Sequence, residues 1–258
     1  MAITAVEYAL FAELKKSSLF PPHPSFLELG EANWYGDVPY EKLTNDICQL
    51  LDDPEEQIGL LQELIDLVRA QQPCMSWDVA KIFYRVFLNC RENVAIDYGG
   101  TEKALKLDLN QPISLGREFD VVYNGGTAEH VFNVWQFFKT VHDHTTSGGI
   151  MIHGAPFTGW PDHGFFNFNP TFYWDLAAAN RYVVQRFLYT EINPIKIIRI
   201  SHREEFSEMA KNGTIGTNSH IYVVYNKPDV KHPFVTPQQG YYANTVSDQV
   251  KENWKSLR

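Results

Sequence analysis

Cysteine is scarce in this chain. The three present, Cys48, Cys74 and Cys90, all fall in the first 90 residues and none forms a CxxC pair. That spacing offers neither a disulfide framework nor a thiolate metal site, and it points to reduced thiols in a cytoplasmic protein. Long apolar runs are also missing. No stretch approaches the roughly 18 to 20 uncharged residues of a membrane span. The opening MAITAVEYALFAELKKSS is broken by acidic and polar residues at helical spacing, which predicts an amphipathic helix and not a leader. Basic clusters are absent too. With 22 Lys and Arg against 31 Asp and Glu the net charge is −9, which disfavours nucleic acid as the main ligand, because such binding draws on phosphate neutralisation. Three signature loops are lacking. There is no GxGxxG to seat a pyrophosphate, no GxxxxGK[ST] for a nucleoside triphosphate and no GxSxG nucleophile elbow. Dinucleotide oxidoreductases, P-loop enzymes and serine hydrolases of the α/β type are thereby disfavoured.

What remains is an ordinary globular composition, 44% apolar and 21% charged, long enough to bury a core without staples. Helical periodicity dominates from Tyr40 to Asn89, in the stripes Leu60, Leu61, Leu64, Ile65, Val68 and Val79, Ile82, Phe83, Val86, Phe87. Elsewhere strands and helices alternate. Strands are predicted at Ser25 to Leu29, Asn93 to Tyr98, Ala104 to Leu109, Phe119 to Tyr123, Ile150 to His153, Tyr182 to Tyr189 and His220 to Tyr225. Helices are predicted at Glu129 to His144 and Thr171 to Asn180, and a polar tail follows Lys227. The expected fold class is α/β, a doubly wound and mainly parallel sheet in one domain spanning 1–258. Residues 1–24 form an N-terminal helix and linker, and 38–92 form a helical insertion between the first two strands.

Ligands of such sheets bind beyond the carboxyl ends of the strands. Four predicted strands end in groups suited to a nucleoside: Glu28-Leu29-Gly30, Asp97, Asp108-Leu109 and Asn124-Gly125-Gly126. A glycine admits close backbone approach, and a carboxylate can accept both hydroxyls of a ribose. The segment FDVVYNGGTAEHV (119–131) resembles the fourth-strand region of class I S-adenosylmethionine (SAM)-dependent methyltransferases, and SFLELG (25–30) resembles their first motif. The resemblance covers about Ser25 to Pro156. It implies a Rossmann-like fold and SAM as cofactor. It sets Glu28 and Gly30 near the methionine part, Asp97 at the ribose, Asp108 and Leu109 at the adenine, and Asn124 or Gly126 at the pocket floor. Two features depart from the family. Gly30 is followed by Glu31-Ala32-Asn33-Trp34-Tyr35-Gly36 where further glycines are usual, and more than one helix fits between the first two strands.

Methyl transfer to oxygen or nitrogen needs an aligned acceptor and, for some acceptors, a base. The candidate catalytic residues are His130, His153 and His163. The last sits beside Asp162 in an aromatic loop that also holds Trp160, Phe165, Phe166 and Phe168. No metal is expected. His142-Asp143-His144 lies at a helix end on a solvated face in this reading, and nothing in the spacing requires His130, His153 and His163 to join Asp162 or Glu129 around iron. The expected partner is a small-molecule substrate, with neither nucleic acid nor membrane. The extra helices are open to use as a lid, as a homo-oligomer surface or as added packing. The alternative reading is a degenerate methyltransferase-like domain that binds or partners without catalysis.

Overall fold

The computed structural model describes residues 1–50, 55, 58–59, 61–62, 66 and 77–256. Of the first predicted stripe only Leu61 falls within these, and it is buried. Leu60, Leu64, Ile65 and Val68 lie outside the described residues, as does Cys74. The chain forms two compact units: 1–108 with 119–125, and 109–118 with 126–258.

In the first unit, β1 (Ala2–Ile3) leads into α1 (Ala5–Lys16). The helix begins where Thr4 and Glu7 form a reciprocal capping box, which satisfies amide donors left without partners in a helical first turn. Strand β2 (Ser25–Leu29) is buried at every position. It pairs in parallel with β4 (Glu92–Ile96) on one side and β5 (Phe119–Gly125) on the other, with Leu27 opposite both Val94 and Val122. A strand buried on both faces as well as paired on both edges has no solvent-facing positions, which is why its sequence does not alternate cleanly. The short β3 (Asn33–Trp34) pairs with β1. Between β3 and β4 the described residues form α2 (Tyr40–Leu50), α3 (Trp77–Ile82) and a π-helical turn, Phe83–Phe87. This turn brings Tyr84 to 4.6 Å of Phe26, ring to ring, while Phe11 meets Tyr123 edge-on at 5.2 Å. Each such buried ring contributes on the order of 1.5–3 kcal/mol through apolar burial.

The second unit carries α4 (Val134–His144), β6 (Thr145–Thr158), α5 (Pro170–Asn180), β7 (Val183–Ile192), β8 (Ile195–Arg199), α6 (Glu205–Lys211), β9 (Ser219–Asn226) and α7 (Asp248–Ser256). Its strands pair in the order β6-β9-β7-β8, all antiparallel, with His153 opposite Val223 and Pro156 opposite His220. Parallel strands around β2 and the alternation of strand with helix make this an α/β, Rossmann-like fold. No helix among the described residues is long and apolar enough to cross a membrane.

Four expectations are corrected. Ala104 to Leu109 is not a strand. Only Leu105 pairs, as an isolated bridge to Ile96, and all four central residues, Leu105, Lys106, Leu107 and Asp108, are exposed, so neither face of the segment is buried. The helix expected from Glu129 begins at Val134, since the Asn133 side chain caps it by accepting from the Gln136 amide, and Ala128–His130 forms a separate 3-10 turn. The strand expected at Ile150 to His153 is the middle of the 14-residue β6, which follows α4 with no intervening loop. The polar segment after Lys227 ends in a helix, α7. Strand β8 and helix α6 had no counterpart in the sequence reading.

Replacing Asn133 with Ala removes the side-chain cap that starts α4. The expected loss is about 1 kcal/mol of unfolding free energy in urea melts, with an unchanged denaturant slope.

Candidate functional site

The site builds outward from Glu129. At the end of β5 the chain turns through Gly126 at φ +95°, a left-handed conformation that favours glycine, and a Cβ there would lie 3.3 Å from Glu129 Oε1. The 3-10 turn Ala128–His130 then points the Glu129 side chain inward, where it is fully buried, and leaves the neighbouring His130 exposed. The aromatic loop closes over it. Phe165 N donates to Glu129 O at 2.7 Å, and a Cβ on Gly164 would come within 2.9 Å of that same oxygen. Within the loop, Trp160 and Asp162 hold φ of +57° and +59°, a strained choice for non-glycine residues of the kind that clusters at functional sites.

This fold brings two of the predicted histidines to one carboxylate. His163 Nε2 lies 3.5 Å and His130 Nε2 3.9 Å from Glu129 Oε1, and the two imidazole centroids are 5.0 Å apart. Neither Glu129 oxygen has a hydrogen-bond partner on another residue. Burial pushes the Glu129 carboxyl up to about 7, and burial with the nearby His163 lowers His130. The three ligand-type atoms lie within 4.8 Å of one another, so the set expected to be without a metal has the donors for one. Trp160 stands between His163 and His220, at centroid distances of 5.4 and 4.5 Å, and the buried His220 Nδ1 has no hydrogen-bond partner. Burial drives His220 down to about 4. Phe132 and Phe165, both largely exposed, meet edge-on at 5.7 Å. Asp162, expected beside His163, is exposed on the loop, and the carboxylate that His163 faces is Glu129.

Other predicted residues fall elsewhere. His153 is 1% exposed, ringed by Phe138, Tyr173 and Tyr225, and burial drives it down to about 3. A side chain so enclosed packs the core instead of taking the strand-end position on the ligand side that the sequence suggested. His142 and His144 are buried and not on a solvated face. The pair His142 Nδ1 and Tyr182 Oη lie 2.6 Å apart, His142 Nε2 donates to His232 O, and His144 Nε2 accepts from Leu115 N.

In the first unit, Glu28 is sealed. Its carboxylate is held by Lys81, by Tyr84 Oη at 3.0 Å and by Ala32 N at 3.1 Å, while burial pushes it up. Glu31, also buried, accepts from Thr101 N at 2.6 Å and Thr101 Oγ1 at 2.9 Å. Gly30 takes the left-handed turn at φ +89°. Asp97 is half-buried. Its Oδ2 accepts from Glu31 N and its Oδ1 from Gly99 N, both at 2.8 Å, which fixes the carboxylate and leaves about half of its acceptor positions open. Asp108 is exposed on an irregular segment, Asn124 is fully buried in β5, and in the second unit Leu109 is buried and Gly126 half-buried. At the Asp97 end an anchored carboxylate still has lone pairs to offer. At the Glu28 end every carboxylate is already satisfied by the protein.

No protein-family model and no curated protein matches the chain. Among solved structures it is similar to TehB from Haemophilus influenzae, at 12% identity, over 87% of this chain and 63% of that one, with a TM-score of 0.40. It is similar also to the N-methyltransferase NodS from Bradyrhizobium japonicum WM9 in complex with S-adenosylhomocysteine, at 11% identity, 87% and 89% coverage and a TM-score of 0.40. A third is the 1,6-didemethyltoxoflavin-N1-methyltransferase of Burkholderia thailandensis, at 10% identity, 85% and 77% coverage and a TM-score of 0.37.

The sealed histidines predict an acid weakness. The folded values of His142 (about 4) and His153 (about 3) lie below the unfolded value of 6.5, so as pH falls the unfolded chain takes up protons first. Their contribution is complete above about pH 6.5 and is lost progressively below it. Melting temperature should fall between pH 6.5 and 4.5. His153→Phe, keeping a ring in the aromatic pocket, should flatten that dependence, each such histidine accounting for up to about 1.4 kcal/mol per pH unit.

Proposed function

We propose that this chain is a SAM-dependent methyltransferase acting on oxygen or nitrogen of a small molecule, in secondary or glycan-precursor metabolism. The observation that carries the reading is Asp97. It stands at the carboxyl end of a parallel strand, its carboxylate pre-oriented by two backbone amides and still able to accept from a vicinal diol. The motifs SFLELG and FDVVYNGGTAEHV support the same reading through their resemblance to class I methyltransferases. When bound, the cofactor supplies an electrophilic methyl group on a sulfonium. In this reading Asp97 orients the ribose and Gly30 gives backbone access at the end of β2. Asp108 and Leu109 are assigned to the adenine, and Asn124 and Gly126 to the pocket floor. His163 and His130 are the residues assigned to the acceptor. Both are exposed beside a buried carboxylate, with the aromatic faces of Trp160, Phe132 and Phe165 suited to a flat, partly apolar molecule.

One observation favours a second reading, a methyltransferase-like domain that binds without catalysis. Glu28, which the family resemblance sets at the methionine end, is consumed by Lys81 and Tyr84, and Glu31 replaces a glycine in the loop that follows.

Titration calorimetry with SAM and S-adenosylhomocysteine separates the two. The methyltransferase reading expects micromolar binding of both, weakened about 10-fold to 100-fold in Asp97→Ala, the cost of hydrogen bonds to a charged group. No heat from either ligand with folded wild-type protein contradicts it and leaves the non-catalytic domain.

A further inference from the structure

We propose that Glu129, His130 and His163 form a binding site for a divalent first-row transition-metal ion. The inference stands on residues of the second unit alone and needs no SAM.

A carboxylate sealed from water finds hydrogen bonds or loses its charge, because an unpaired buried charge costs several kcal/mol. Glu129 is fully buried and both its oxygens lack a hydrogen-bond partner on another residue. The two imidazole nitrogens facing it lie at 3.5 and 3.9 Å, too long for hydrogen bonds. Those separations suit a different role. Ligand atoms bound about 2.1 Å from a common ion stand about 3.0 to 3.4 Å apart along the edges of the coordination shell. The three atoms lie within 4.8 Å of one another, the two Glu129–histidine separations being a few tenths of an ångström beyond a shell edge, so closure around one centre needs the two exposed imidazoles to swing together by up to about 1.5 Å. Two of the three side chains reach the carboxylate from the exposed side, His130 from the 3-10 turn and His163 from the loop, so an ion has a path in.

The donor set selects the class of ion. Two imidazoles and one carboxylate suit zinc, iron, cobalt or manganese, whereas calcium and magnesium prefer oxygen ligands throughout. Three protein ligands also leave coordination positions open. The half-exposed imidazoles and the flanking Trp160, Phe132 and Phe165 mark those positions as a place for a small oxygen-donor ligand with a flat apolar body. The tight packing of Gly126 and Gly164 against Glu129 then has a purpose, since it fixes the one ligand that cannot swing outward.

The test uses the full chain after chelator treatment. Zinc is titrated by calorimetry, and cobalt(II) is followed by its visible absorption. The expected result is one ion per chain, with affinity reduced at least about 10-fold in His163→Ala and in Glu129→Gln and with the cobalt bands altered or lost. His202→Ala, at an exposed histidine on a different segment, should bind as wild type does. If Glu129→Gln does not fold, His163→Ala decides, because His163 is an exposed loop residue. Absence of binding by wild-type protein overturns the site. So does unchanged affinity in folded His163→Ala and His130→Ala, which would place the ion on other histidines. Neither result bears on whether SAM binds, and calorimetry with SAM does not bear on the metal.

Discussion

A buried carboxylate without a hydrogen-bond partner is the constraint around which the second unit is arranged. The Glu129 side chain is sealed, yet its main chain is a hub, its carbonyl accepting from Phe165 at 2.7 Å and so fastening the aromatic loop to the 3-10 turn. The glycines at 126 and 164 exist in the space this demands, and the left-handed Trp160 and Asp162 are the cost of turning the loop back over the carboxylate. Elsewhere the protein satisfies its buried charges. Asp175 pairs with Arg203 at 2.6 Å, and Lys227 donates to the carbonyls of His142 and Thr145. Glu129, whose oxygens take no hydrogen bond from another residue while two histidines stand at 3.5 and 3.9 Å, forms the arrangement on which the proposed metal site rests.

The first unit shows the opposite economy. Glu28, Glu31, Lys81, Tyr84 and Thr101 saturate one another. Such a network locks the turn after β2 onto the π-helical turn, so removing one member strands another charge in the core. Asp97 keeps acceptor capacity while held at both oxygens, and the proposed cofactor rests on it.

The parallel strands were legible because SFLEL and FDVVY are short apolar runs bounded by turn residues, and α1 because acidic and polar residues interrupt its apolar ones at helical spacing. Histidines 130 and 163 drew notice in the sequence because of where they stand, one after a strand end and one in an aromatic loop, and the fold sets both beside Glu129. Glu129 was harder to weigh. It sits in a 3-10 turn separated from the Asn133-capped helix that follows, and continuous helical periodicity hides that break. His220 carried no local signal, since it joins the cluster through the β6–β9 register, opposite Pro156. His153 and His144 misled for the converse reason. A histidine at a strand or helix end reads as accessible until the length of β6 is known, and its 14 residues follow α4 directly. The segment Ala104 to Leu109 has strand-like alternation, but both faces at its centre are exposed and it pairs only through the Leu105 bridge.

The central claim is that Glu129 is retained for ligand binding and not for the fold. Its most direct test is the thermal unfolding of wild type and Glu129→Gln at pH 8 in the presence of a chelator. Replacing a carboxylate that makes no hydrogen bond to another residue by a neutral group of the same shape should leave the melting temperature unchanged or raise it by about 2 °C or more. A fall of several degrees would show that the carboxylate holds the structure together, and would contradict the account.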